Sequence, residues 1–354
     1  MTQYQGGMLP QSRTNSSDNG KPGPELRVVA IGGGTGLSTL LKGLKRYVMT
    51  PALAASGQPT IRELSGVVTV SDDGGSSGRL RKEFNMLPPG DIRNCIVALS
   101  EDEALLSRLF QHRFQKGSGL QGHSFGNLFL AALTSITGDF AEAVRLSSEI
   151  LLTRGHIYPA TTSNVELEAL FEDETRVRGE TRITASKGKI RELVLVPPDV
   201  EPLPQTLEAI AAADLITIGP GSLFTSLIPN LLVRGIPEAI LRSHAVKVFI
   251  CNLMTQANES LSLTASDHIR ALNDHAGAQL FGYTLINHRE ASPEMKAKYA
   301  LEGASQIVID LEAIEALGVC PVLGDYLEEG TVARHATDRV AHDLMALMSK
   351  APER

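Results

Sequence analysis

Residues 28–36 read Val-Val-Ala-Ile-Gly-Gly-Gly-Thr-Gly, and the leucines at 37, 40, 41 and 44 then recur at helical spacing. Four apolar residues in a row fit a strand buried on both faces, the kind found inside a parallel sheet. A strand that empties through a tight turn into a helix commits the chain to an α/β layering. Gly32, Gly33, Gly34, Thr35 and Gly36 occupy that turn. Without a Cβ, glycine lets the backbone come close to a bulky anion. The helix start adds free N–H groups and a partial positive charge. These five residues are therefore candidate phosphate contacts, with a plain tight turn as the alternative.

The turn is not a dinucleotide fingerprint, since Leu37 stands at the third glycine position and no acid closes a second strand near residue 55. Nor is it a Walker loop, because Leu37-Ser38 replaces the Lys-Ser/Thr pair. A nicotinamide-dependent oxidoreductase is accordingly disfavoured.

The chain has 354 residues, 42% of them hydrophobic, enough for a sizeable core. Net charge is −7 with both signs mixed, which gives no stripe for nucleic acid. Cys95, Cys251 and Cys320 are far apart, so neither a disulfide framework nor a structural zinc site is expected, and a reducing cytoplasm fits. No apolar run reaches the roughly 20 residues of a membrane span. Residues 1–25, rich in Gly, Ser, Asn, Gln and Pro, read as a disordered tail.

From residue 26 to 350 the pattern predicts a single α/β domain: a Rossmann-like, mostly parallel sheet with helices on both faces and a small antiparallel β insertion at about 160–200. Strands are predicted at 26–31, 66–71, 214–218, 246–251 and 280–286, and unbroken helical stretches at 91–111 and 124–150. The insertion reads as a meander of 165–171, 175–184 and 190–196, and 337–349 as an amphipathic helix.

Further clusters sit where strands end. Ser71-Asp72-Asp73-Gly74-Gly75 follows an apolar run. Adjacent strand residues point to opposite faces, so one of Asp72 and Asp73 is a candidate ligand of Mg²⁺ or a nucleotide, turn capping being the alternative. Arg79 and Arg81 could meet a phosphate or be solvated. Asp91 reads as an N-cap. Gly122-His123-Ser124-Phe125-Gly126 matches G-x-S-x-G, but a polar loop precedes it where a nucleophile elbow needs a strand. Ser124 therefore reads as a helix cap, and Asn127 as a candidate base or sugar contact. Asp214–Ser226 repeats the strand–glycine turn–helix order, making Gly219, Gly221 and Ser222 a second candidate anion cradle. Asn252, Met254, Thr255 and Gln256 follow another buried strand, so several loops meet where doubly wound sheets bind ligands.

Gly-Gly-Gly-Thr-Gly at 32–36, Ser-Asp-Asp-Gly-Gly-Ser-Ser-Gly at 71–78, Pro-Pro-Gly-Asp-Ile-Arg-Asn at 88–94, Gly-His-Ser-Phe-Gly-Asn at 122–127, Gly-Pro-Gly-Ser-Leu-Phe-Thr-Ser at 219–226 and Asn-Leu-Met-Thr-Gln at 252–256 together resemble the gluconeogenesis factor family. That YvcK-like group is related to 2-phospho-L-lactate transferase. The resemblance implies a cytoplasmic protein that binds a UDP-sugar such as UDP-N-acetylglucosamine, or a related nucleotide, and supports cell shape and cell-wall synthesis during gluconeogenic growth. It implies no settled reaction and no known catalytic residue. The transferase branch implies an Mg²⁺-dependent transfer of a phospho-lactyl group from a guanosine nucleotide. That branch reads Gly-Pro-Ser-Asn-Pro where this chain has Gly219-Pro220-Gly221-Ser222-Leu223, which favours the factor branch. Tyr299 and Arg334 match family ligand contacts, and Thr337 matches a position phosphorylated in some members. A homo-oligomer is compatible with the sequence.

Overall fold

The computed structural model describes residues 23–101 and 103–350. The expected tail lies outside the described residues up to position 22, and Glu25 already belongs to the first strand. The strands are β1 (Glu25–Gly32), β2 (Thr60–Val68), β3 (His156–Pro159), β4 (Glu166–Phe171), β5 (Arg176–Arg178), β6 (Ile190–Val196), β7 (Leu215–Ile218), β8 (Val246–Ile250), β9 (Tyr283–Asn287), β10 (Cys320–Gly324), β11 (Leu327–Glu329) and β12 (Ala333–His335).

Seven of them form one sheet in the order β10-β9-β8-β7-β1-β2-β3, every neighbouring pair parallel. The chain moves outward from β1 to β2 and β3, then returns to the other side of β1 to lay down β7, β8, β9 and β10. The order thus reverses between β1 and β7, whose residues 28–31 pair with 215–218. A crevice opens at such a switch point, beyond the strands' carboxyl ends. Val28, Val29, Ala30 and Ile31 are all at most 2% exposed, as the apolar run requires. Leu37, Leu40, Leu41 and Leu44 bury one face of helix Gly34–Leu44, each worth about 1.5–3 kcal/mol of burial. That helix packs against Gly90–Leu99 and Thr337–Lys350, while Pro204–Ala212 packs with Ile236–Arg242.

Several elements differ from their predicted form. The strand expected at 66–71 starts at Thr60 and stops at Val68, where the Thr69 amide turns to donate to Gly32 O at 2.9 Å. The strand expected at 280–286 begins at Tyr283. The stretch 91–111 is interrupted at Ser100, whose backbone is extended and whose Oγ donates back to Val97 O. The stretch 124–150 breaks at Gly138, which has φ 73°, before Asp139 caps a new helix by accepting from the Glu142 amide at 2.7 Å. The small sheet is not a meander: β4 is central, paired with β5 and β6. Residues 180–184, expected to continue a strand, belong to the helix Glu180–Ala185. The inner faces of β4 and β6, with Leu167, Ala169, Leu193 and Leu195, join the main core.

Candidate functional site

A cavity of about 770 Å³ lies at the switch point, and both glycine turns line it through Gly33, Gly34, Thr35, Gly36, Gly221 and Ser222. The two turns touch: a Cβ on Gly36 would stand 2.2 Å from Pro220 O. No other residue type fits there, which explains a glycine at this position.

In the first turn Gly34 has φ +60° and opens the helix. Its amide donates to Asp91 Oδ2 at 2.6 Å. Asp91 therefore does not cap its own helix, as its position in the sequence suggested. Pro89 holds that N-cap position, and Asp91 caps the neighbouring helix instead. Burial pushes the Asp91 carboxyl up to about 6, with Asp72 adding to the rise and the Gly34 bond and Arg93 opposing it. The next two amides, of Thr35 and Gly36, have no partner among the described residues. They are the open part of the cradle.

The second turn is different. Gly221 N donates to Asn252 Oδ1 at 3.3 Å, and Asn252 Nδ2 donates to Gly221 O at 2.8 Å. Gln256 Nε2 donates to Ser222 Oγ at 2.8 Å. The amides of Phe224 and Thr225 both donate to Glu259 Oε1, at 2.8 and 2.9 Å. A carboxylate of the chain itself thus takes two amides just beyond the expected second cradle, while the amides of Ser222 and Leu223 have no partner among the described residues. Gly219 does not line the cavity; it lies against β8, where a Cβ would be 2.7 Å from Ile250 O.

The opposite wall comes from a satellite core of Leu253, Met254, Ala291, Met295 and Leu327, against which Tyr299 and Ala333 pack. Tyr299 Oη accepts from Ala333 N at 3.2 Å, tying the helix Pro293–Ala300 to β12. Arg334, next along β12, lines the cavity, is exposed and has no partner among the described residues. His335 Nε2 donates to Cys251 O at 3.0 Å. Burial holds its imidazole down at about 4, so the ring is neutral.

Four further candidates lie outside this cavity. Gly32 ends β1 with its carbonyl bonded to Thr69 N and Asn230 Nδ2. Asn127 is buried, accepts from Arg93 Nη1 at 3.1 Å and donates to Ser76 Oγ at 3.1 Å, so it braces the start of helix Gly75–Phe84. Asp73 Oδ1 accepts from Thr181 N and Oγ1 and so satisfies a donor in the first turn of helix Glu180–Ala185. Asp72 Oδ1 accepts from Gly74 N at 2.8 Å. Its charge acts on Asp91 and on Glu180, whose carboxyl burial and these neighbours raise well above the usual range. Among the described residues no group of three or more His, Cys, Asp or Glu side chains is arranged to hold a metal.

The arginines are structural. Arg79 Nη2 donates to Gln121 O, and buried Arg81 bonds Asn164 and Val165 O. Ser124 is buried and caps its helix, accepting from Asn127 N at 3.3 Å. His123 is buried against Ser76 Oγ, and the Thr337 methyl packs on Gly43. Glu180, Glu259 and His335 line the cavity without having been singled out from the sequence. Only Glu259, three residues beyond the Met-Thr-Gln loop, carried a positional hint.

The family model described as 2-phospho-L-lactate transferase CofD matches residues 28–327. The gluconeogenesis factor of Halalkalibacterium halodurans is 49% identical over 320 residues, 90% of this chain and 95% of that protein. The gluconeogenesis factor of Bacillus subtilis is 46% identical over 330 residues, 93% and 100% of the two chains. A crystal structure of a Bacillus halodurans protein described as a member of the UPF0052 family has a TM-score of 0.85 at 48% identity, covering 91% of this chain and 99% of the other.

Proposed function

The chain belongs to the 2-phospho-L-lactate transferase CofD family, and from that premise we propose that it is a nucleotide-sugar-binding factor of the gluconeogenesis-factor branch. In this reading it acts in the cytoplasm, takes UDP-N-acetylglucosamine or a close relative, and supports cell shape and wall synthesis during gluconeogenic growth. No helix of the described residues is long and apolar enough to cross a membrane.

The observation that carries the reading is the pairing of two walls across one cavity. Free amides of Thr35 and Gly36 face it from the first turn, and the unpaired guanidinium of Arg334 lines it from β12. Helix-start amides suit one phosphate, and a planar guanidinium suits another bidentately. Tyr299 would stack on or bond the uridine or sugar. A diphosphate ester has that distribution of charge.

The test is ligand-induced stabilisation. UDP-N-acetylglucosamine at 100 times its Kd raises unfolding free energy by about 2.7 kcal/mol. No stabilisation by any uridine diphosphate ester ends the proposal.

A second reading is a transferase with a nucleotide-activated phospho-lactyl-type donor. The family match favours it, and so does Asp72, which has one carboxylate oxygen not used by Gly74 and two acidic neighbours. Asp72, directly or through water, would hold an Mg²⁺ shared with donor phosphates. Stabilisation by guanosine nucleotides with Mg²⁺ alone, followed by product formation, selects this reading.

A further inference from the structure

The two glycine turns resemble each other in sequence and differ in the side chains that hold them. Around the second turn the chain occupies most of its own polar groups, leaving the amides of Ser222 and Leu223 without a partner among the described residues. Asn252 takes both the amide and the carbonyl of Gly221, Gln256 takes Ser222 Oγ, and Glu259 takes the amides of Phe224 and Thr225. Thr225 Oγ1 adds a third donor to the same Glu259 oxygen at 3.3 Å. Two amides and a hydroxyl converging on one oxygen are the arrangement an anionic oxygen prefers. Glu259 is 6% exposed, lines the cavity and has no ion pair among the described residues. Burial raises the Glu259 carboxyl, and the Phe224 and Thr225 amides and the Thr225 hydroxyl oppose that rise by holding the charged form beside the ligand space, where Lys298 and Arg334 also line the cavity. In a low-dielectric cleft, like charges interact strongly over several ångströms.

We propose that Glu259 sets the anion selectivity of the pocket: its carboxylate keeps the amides of Phe224 and Thr225 and repels a further phosphate at that end of the second turn, so a triphosphate is rejected relative to a diphosphate. The inference rests on the nucleotide-binding reading above. It adds a residue that discriminates by repulsion, the side of specificity that attractive contacts do not supply.

The substitution Glu259→Gln separates charge from architecture. Glutamine Oε1 accepts from the same two amides while the charge is lost. Affinities of UMP, UDP and UTP are measured by titration calorimetry for the wild-type protein and E259Q. Wild type binds UDP more tightly than UTP, and E259Q raises UTP affinity about tenfold relative to UDP, the scale of one like-charge contact removed. An unchanged UTP-to-UDP ratio, or an equal loss for all three nucleotides, overturns the inference and leaves Glu259 as a loop brace. Wild-type protein that binds none of the three overturns the nucleotide reading and this inference with it. Should E259Q not fold, a crystal structure of the wild-type complex with UDP decides. Phosphates on Thr35 and Gly36 with Glu259 in place support the inference, and a phosphate on Phe224 and Thr225 with Glu259 displaced ends it.

Discussion

Asp91 and Gly34 are 57 positions apart, yet Asp91 Oδ2 accepts from Gly34 N at 2.6 Å and so closes the first amide of the ligand-facing helix. A carboxylate fixes the helix start, and the two amides that follow have no partner among the described residues.

That contact carries a pH signature. The Asp91 carboxyl titrates near 6 in the folded chain against an ordinary value of 3.8. Between those values the folded state holds the proton more tightly than the unfolded state, so this group's contribution to stability falls as pH rises from about 4 to 6. The full effect is about 3 kcal/mol. Asp91→Asn keeps an acceptor for Gly34 and removes the slope. Urea unfolding at about pH 4, 5 and 7 that leaves the wild-type-minus-variant difference constant refutes the assignment.

His335 has the opposite sign. Its imidazole is held down at about 4 from an ordinary 6.5, so stability is complete above about pH 6.5 and is lost as pH falls through 4. The loss is about 3 kcal/mol and nearly cancels the Asp91 gain over the same window. His335→Gln is therefore expected to gain stability on acidification relative to wild type. Equal acid sensitivity of the two proteins in the same unfolding series contradicts this.

The contact between the turns is tested by Gly36→Ala. The new methyl would stand 2.2 Å from Pro220 O, a backbone atom that cannot swing aside. The expected outcome is a loss of about 1–3 kcal/mol by overpacking, together with weakened nucleotide binding as the turns separate. Unaltered melting temperature and affinity would mean that the turns do not touch.

Arg334 separates binding from stability. Its side chain is exposed and unpaired among the described residues, so Arg334→Ala should shift unfolding by less than about 0.5 kcal/mol. Stabilisation by UDP-N-acetylglucosamine should disappear. Retained stabilisation in thermal melts removes Arg334 from the site.

The parts legible in the sequence are those encoded by contiguous patterns. Val28–Ile31 and Leu215–Ile218 announce strands because the first is apolar throughout and the second is apolar apart from the β-branched Thr217, and the glycines behind them mark the turns. Helix breaks at Ser100 and Gly138 were harder, since the hydrophobic spacing continues across them. Partners remote in sequence were not legible at all. Asp91 looks like a cap for its own helix because its real partner lies 57 residues away, and Asp73 meets Thr181 at a separation of 108. The same limit hid Glu259, whose meaning depends on Phe224 and Thr225 being folded against it.

Placing β7 beside β1 has a consequence for biosynthesis. The first turn precedes its neighbouring turn by about 190 residues, and β12 comes later still. A fragment that stops short of β7 contains the strand and helix residues around Gly34 without the second turn, Tyr299 or Arg334. Under the proposed function such a fragment has no nucleotide site, so nucleotide binding reports that the chain has been made at least through β12.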